Sequence, residues 1–134
     1  MIAQFEFGLD TFLAVTVDQA GVAVRGDEAI RNAVEEAVVA ERFGIDSFNI
    51  GEHYRPEFMD SANHVVLAAI AGRTERIRLG TAVTVLSTQD PVRLYTDFAT
   101  LDAVSNGRAQ LIVGRGSLTD SFPLFGYDLV DYEE

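Results

Sequence analysis

No cysteine occurs in the 134 residues. Disulfides, thiolate metal sites and cysteine nucleophiles are therefore excluded for this chain. Lysine is missing as well: the 10 basic residues are all arginine, set against 21 acidic ones for a net charge of −11. So acidic a surface cannot neutralise a phosphate backbone, and non-specific nucleic-acid binding is not expected. An anionic ligand would need a local positive site, for which arginine, planar and always charged, is suited. No apolar run approaches the roughly 18 residues of a membrane span; the longest, residues 65–71, reads as one face of a helix. The N-terminus lacks the basic-then-apolar pattern of a secretory signal, so the expected location is the cytoplasm, away from membranes. A dinucleotide fingerprint is lacking too. The loop after the first expected strand reads Asp10, Thr11, Phe12, Leu13, and the later Gly114-Arg115-Gly116 has no third glycine.

What is present suffices for a core: 48% of residues are hydrophobic and 23% charged, the balance of an ordinary globular domain. Residues 4–9 alternate, with Phe5, Phe7 and Leu9 on one side, which predicts a strand. Residues 11–26 read as a long loop. Asp27 is placed to cap a helix over 28–43, with Ile30, Ala33, Val34, Ala37 and Val38 on one stripe and Gly44 as its stop. A short strand over 45–50 and a polar, aromatic loop over 51–60 follow. Asp60 or Ser61 then caps a second helix through Val65, Val66, Ala69 and Ile70. Residues 77–86, rich in β-branched side chains, predict one strand. Asp90-Pro91 is a cap followed by proline at the first helical position. The third helix carries Leu94, Tyr95, Phe98 and Leu101 on one stripe and ends at Asn106-Gly107. Residues 109–113 form the fourth strand. A loop starts at Gly114, and residues 131–134 begin another helix.

This β-α-β-α-β-α-β order implies parallel strands with helical crossovers. An open doubly wound sheet and part of a (β/α)8 barrel both satisfy it. A whole barrel needs roughly 250 residues, so this chain would supply about half. Its two outer strands would then leave unpaired backbone and exposed apolar side chains at both edges.

In either architecture ligands gather at the C-terminal ends of the strands. The residues there are Asp10, Thr11 and Phe12; Glu52, His53, Tyr54 and Arg55; Thr84, Ser87 and Thr88; and Arg115, Ser117 and Thr119. His53 is the best single candidate, because a neutral imidazole can act as general base near neutral pH. Glu52 is either its charge partner or a buried, hydrogen-bonded carboxylate. His64 falls inside the second helix and reads as structural. Glu52, His53 and Asp60 match no metal-ligand spacing, and no metal is expected. Arg115 lies between glycines that let backbone approach a ligand closely. It could grip a phosphate with help from the Ser117 hydroxyl, or pair with one of the many carboxylates.

Several strings together resemble one family across essentially the whole chain. They are Phe7-Gly8-Leu9-Asp10-Thr11-Phe12, Gly51-Glu52-His53-Tyr54, Arg78-Leu79-Gly80-Thr81-Ala82-Val83-Thr84-Val85-Leu86-Ser87, Asp90-Pro91-Val92-Arg93, Leu101-Asp102-Ala103-Val104-Ser105-Asn106-Gly107-Arg108, and Gly114-Arg115-Gly116-Ser117 followed by Phe125-Gly126-Tyr127. In order and spacing they resemble the bacterial luciferase-like flavin-dependent monooxygenases.

The resemblance implies that residues 1–134 form a partial barrel domain, the N-terminal half of a (β/α)8 TIM barrel with four parallel strands. It implies reduced FMN, supplied by a separate flavin reductase, reacting with oxygen to a flavin peroxide that oxidises a small organic substrate. By position, His53 takes the role of the family's catalytic histidine, and Glu52, matching the glutamate that precedes it in the family, is assigned to the catalytic pair with it. Ala82-Val83 falls where members carry a non-prolyl cis peptide under the flavin ring. Gly114 stands where luciferase has a cysteine near the flavin, and Arg115 matches an arginine on the flavin phosphate. Tyr54 stands in place of luciferase's second histidine, a departure that puts light emission and an aldehyde substrate in doubt. Two other readings are a deazaflavin-dependent oxidoreductase of the same superfamily and a catalytically silent half-barrel that self-associates. The expected assembly is a dimer or a pairing with a second half-barrel.

Overall fold

The computed structural model describes residues 5–133. In chain order the elements are β1 (Gly8–Thr11), α1 (Gly26–Arg42), β2 (Ser47–Ile50), α2 (Asn63–Ala71), β3 (Arg78–Thr81), β4 (Thr84–Val85), α3 (Pro91–Ser105), β5 (Ala109–Gln110), β6 (Val113–Gly114) and the short α4 (Ser121–Phe125). A 3-10 turn, Leu86–Thr88, precedes α3, and another, Leu129–Glu133, follows α4. One sheet runs β1-β2-β3-β5 and a second pairs β4 with β6; every pairing between named strands is parallel. This is a partial (β/α) barrel with helical crossovers. Among the described residues no helix is long and apolar enough to cross a membrane.

Side-chain alternation divides the sheet into two unlike faces. Phe48, Ile50 and Leu79 pack under the helices against Ala33, Ala37, Leu67, Ile70, Phe98 and Leu101. The opposite face carries the row Asp10, Asn49, Gly80, Gln110. There Asn49 donates to Asp10 Oδ1 at 2.7 Å, and its side chain lies across Gly80, where a Cβ would collide with it. The face that a closed barrel would turn inward is thus polar in this row. Both edges are open and partly apolar, with Leu9 exposed on one side and Leu111, Ile112 and Val113 on the other. A groove of about 690 Å³ runs along the β1 edge, lined by Leu9, Val39, Phe43, Ile45 and Phe48 among others.

Several element boundaries differ from the sequence expectation, each for a nonlocal reason. The first strand starts at Gly8 rather than residue 4; Gln4 lies outside the described residues. Phe5 and Phe7 are 81% and 65% exposed, lying before the pairing with β2, which begins at Gly8–Ser47. Asp27 sits in the first turn of α1 instead of capping it, paired with Arg25 at 3.0 Å and Arg31 at 3.1 Å. Neither Asp60 nor Ser61 caps α2; the N-cap is Ala62, with no side-chain bond. Residues 77–86 and 109–113 do not form one strand each. Both break at the same level, at Ala82–Val83, whose peptide is cis, and at Leu111–Ile112. The buried Thr81 hydroxyl bridges the break, donating to the Ile112 carbonyl at 2.9 Å and accepting its N–H at 3.2 Å. Thr84 donates to Thr81 Oγ1 at 3.0 Å, so polar backbone at the gap stays satisfied. In α3, Asp90 caps through the Arg93 N–H at 2.8 Å and Asn106 ends the helix in the left-handed region, as expected. Tyr95, however, is 73% exposed, off the buried stripe of Phe98 and Leu101. The tail is not loop throughout, since α4 intervenes and the last turn begins at Leu129 rather than residue 131.

Glu41 at the end of α1 ties the loop before β3. Its carboxylate accepts the backbone N–H groups of Glu75, Arg76 and Ile77 at 2.6–3.1 Å. Burial alone would raise its pKa, but these three donors and Arg76 outweigh it and the net shift is downward from 4.5. A depressed folded value means stability that is present above pH 4.5 and lost as pH falls through the lower folded value. Glu41→Gln should therefore unfold at lower urea than wild type at neutral pH, and the gap should narrow in acid. A gap unchanged across that range would contradict this role.

Candidate active site

The loop after β2 carries the densest chemistry, and three contacts fix its course. Gly51 N–H donates to the Thr11 carbonyl at 2.9 Å, Asn63 Nδ2 donates to the Gly51 carbonyl at 2.9 Å, and Met59 N–H donates to Leu13 at 3.1 Å. Gly51 has no room for a side chain: a Cβ there would lie 2.7 Å from Phe12, 2.8 Å from Asp60 Oδ2 and 3.1 Å from His53 Cε1. The loop therefore folds back on itself and brings residues 53 and 60 together.

His53 is held by Asp60 twice. Its backbone N–H donates to Oδ1 at 3.0 Å, and its Nδ1 lies 2.7 Å from Oδ2. Asp60 is fully buried, at 0% exposure, and the His53 side chain is 14% exposed. Burial pushes the Asp60 carboxyl above its ordinary value, while the His53 contacts pull it back. Phe12 and Phe58 clamp the imidazole, with ring centroids 4.7 and 4.8 Å away.

Glu52 points elsewhere. It is 6% exposed. Oε1 accepts from Tyr54 Oη at 2.8 Å and from Gln89 Nε2 at 2.7 Å, and Oε2 accepts the Val85 N–H at 3.0 Å. Of its two sequence readings, the buried, hydrogen-bonded carboxylate describes this arrangement. It fastens the His53 loop to β4. Burial, then the bond to Glu52, raises the Tyr54 pKa, so the phenol stays a donor.

Glu52, His53, Ala82, Val83 and Ser117 line one pocket of about 110 Å³, together with Phe12, Val85 and Leu118. Gly114 and Arg115 do not line it. Gly114 abuts Val83, where a Cβ would stand 2.9 Å from Cγ2. Arg115 lies over the Tyr132 ring, 4.3 Å from its centroid, and Tyr132 donates to the Gly116 carbonyl at 3.0 Å. Among the described residues Arg115 makes no ion pair. His53 also lines an open recess of about 360 Å³, with Ile30, Tyr54, Arg55, Phe58, Met59, Ser61 and Leu124. Of the other strand-end candidates, Asp10 and Thr11 belong to β1 and Thr84 to β4; His64, read as structural, sits in α2, 3.6 Å from Asp97. Phe58 and Gln89 are the site residues that pattern reading missed; Phe12 was a strand-end candidate, and Asp60 was weighed only as a metal ligand and a helix cap. The one signal for Asp60 was an acid in the same polar loop as His53, and the capping reading competed for it.

Ala82, Val83, Val85 and Leu118 give an apolar wall that suits one side of a planar aromatic ring. Ser117 and Arg115 follow with a hydroxyl and a cation suited to a phosphate. These residues fit part of a flavin. The pocket itself is below the roughly 300–1,000 Å³ of complete ligand sites, so further walls are needed to enclose one.

Residues 9–134 match the family model described as luciferase-like monooxygenase. The chain is 34% identical over 113 residues to the uncharacterized protein y4wF of Sinorhizobium fredii, covering 84% of this chain and 32% of that protein. It is 35% identical over 108 residues to the alkanal monooxygenase alpha chain of the Kryptophanaron alfredi symbiont, covering 80% and 30%. It is 34% identical over 110 residues to the F420-dependent glucose-6-phosphate dehydrogenase of Amycolatopsis mediterranei, covering 78% and 33%. Among solved structures, monooxygenase RslO1 from Streptomyces bottropensis superposes with a TM-score of 0.82 at 28% identity, over 96% of this chain and 39% of that one. The oxygenating constituent of 3,6-diketocamphane monooxygenase from Pseudomonas putida, a type II Baeyer-Villiger monooxygenase in complex with FMN, gives 0.80 at 26% identity, over 98% and 35%. The chain spans about a third of the length of these curated relatives.

Proposed function

Since the chain belongs to the luciferase-like monooxygenase family, we propose that it carries the base and one cofactor wall of a flavin-dependent monooxygenase. In this reading residues 1–134 are a partial barrel domain whose site is completed by a second half-barrel or a second copy. The exposed apolar edges at Leu9 and at Leu111 to Val113 support such a pairing. The substrates are oxygen and a small organic molecule, for which the apolar recess beside His53 offers room. Reduced FMN, brought by a separate cytoplasmic reductase, would supply the electrons for the oxidation. The observation that carries this reading is that His53, Ala82 and Val83 line one pocket.

The chain's own residues divide the work. Ala82 and Val83 support the cofactor ring, and Gly114 keeps β6 close behind Val83. Arg115 and Ser117 hold the phosphate end. His53 accepts a proton within the pocket, and Phe12 and Phe58 keep water from its faces. Glu52 holds β4 in register with the His53 loop.

The similarity to an F420-dependent dehydrogenase supports a second reading, a deazaflavin cofactor on the same wall. Anaerobic fluorescence titration of the chain with each reduced cofactor separates them. The FMN reading expects saturable but weak FMN binding and a poorer deazaflavin ligand. Preference for the deazaflavin would overturn it, and tight stoichiometric FMN binding would contradict an incomplete site.

A further inference from the structure

We infer that Asp60 is the positioning residue that makes His53 a base: it holds the imidazole as the Nδ1–H tautomer, leaving the Nε2 lone pair to take the proton. The assignment rests on the proposed function for its purpose, but on geometry alone for its content.

A carboxylate accepts and does not donate. Asp60 Oδ2 at 2.7 Å from His53 Nδ1 therefore requires the ring proton on Nδ1. Oδ1 is held by the His53 backbone N–H at 3.0 Å, so the carboxylate cannot rotate away without losing both contacts. It is fully buried, where an unpaired charge would be costly and a charge-assisted bond is strong. Among the described residues no other carboxylate is bonded to the ring. Both Glu52 oxygens are occupied by Tyr54, Gln89 and Val85. The nearby cation Arg55 faces Glu57 at 3.2 Å and Asp120 at 3.8 Å. The flanking Phe12 and Phe58 rings are uncharged. Nε2 makes no hydrogen bond among the described residues, and His53 forms part of the pocket wall next to Ala82 and Val83. When Nε2 takes a proton the ring becomes a cation, and its charge is matched by Asp60 at Nδ1. The helix-capping role that the sequence suggests for Asp60 is absent, so the side chain is given over to the imidazole.

The test is imidazole tautomer NMR on the isotope-labelled chain at alkaline pH, without flavin. Only two histidines contribute, and the half-exposed His64 serves as internal control. Wild type is expected to favour Nδ1–H on His53 by about ten- to a hundredfold. In Asp60→Asn the amide oxygen can keep the backbone N–H while its nitrogen donates to Nδ1, so the dominant form should switch to Nε2–H with His64 unmoved. A wild-type His53 carrying its proton on Nε2, or a tautomer that Asp60→Asn leaves unchanged, overturns the inference. If the variant does not fold, the wild-type tautomer alone decides. Absence of flavin binding would sink the functional reading without touching this result, and the wrong tautomer would leave flavin binding unaffected.

Discussion

Glu52→Leu should destabilise the fold by roughly 3–5 kcal/mol, from three donors left without their acceptor at about 1–3 kcal/mol for a buried one and less where water can reach. The Val85 N–H is buried in β4 and donates to Glu52, whereas Tyr54 and Gln89 are half-buried and regain part of their loss from solvent. Against a typical total of about 5–15 kcal/mol, such a loss is read easily as a shift in the urea midpoint. Glu52→Gln should cost less, because its oxygen can still accept from Val85 while Tyr54 and Gln89 reorient. Leucine and glutamine variants of equal stability to wild type would show that the carboxylate does not fasten the loop to β4.

The second large effect concerns turnover. His53→Gln retains a donor for Asp60 and so should fold, but it has no nitrogen able to accept a proton. In the completed protein its turnover should fall by roughly 10²–10⁴-fold, the range associated with loss of a general base. Affinity for the reduced cofactor should change little, since the wall at Ala82 and Val83 is intact. A variant with near wild-type turnover would remove His53 from the chemistry and leave it a packing residue between Phe12 and Phe58.

The parts of the fold that could be read from the chain were those set by chemistry within a few residues. Asp90-Pro91 and Asn106-Gly107 bound α3 because a cap and a left-handed terminus are local demands. The α1 stripe through Ala33, Ala37 and Val38 is buried as its period requires. Boundaries were missed where a distant partner decides. The strand break after Thr81 depends on Ile112, 31 residues away, and Phe5 and Phe7 alternate like strand residues but lie before the pairing with β2. Asp27 and Asp60 both looked like caps, since sequence shows an acid before a helix but not the arginine or histidine it prefers. In the site, strand-end position pointed to Glu52, His53 and Ser117 and the resemblance to Ala82 and Val83, and all five line one pocket from three separate loops. It did not reveal that Glu52 turns toward β4, that Asp60 holds the imidazole, or that Arg115 rests on Tyr132.

Arg115 is the sharpest point at which to test the central claim, because it lies outside the pocket yet is assigned to the cofactor's phosphate. The measurement is an anaerobic titration of wild type and Arg115→Ala with reduced FMN. Loss of a charge-assisted contact to phosphate should weaken saturable binding by about tenfold or more. Equal affinity in the two proteins, or no saturation in wild type, would contradict the assignment of a flavin site to this half of the barrel.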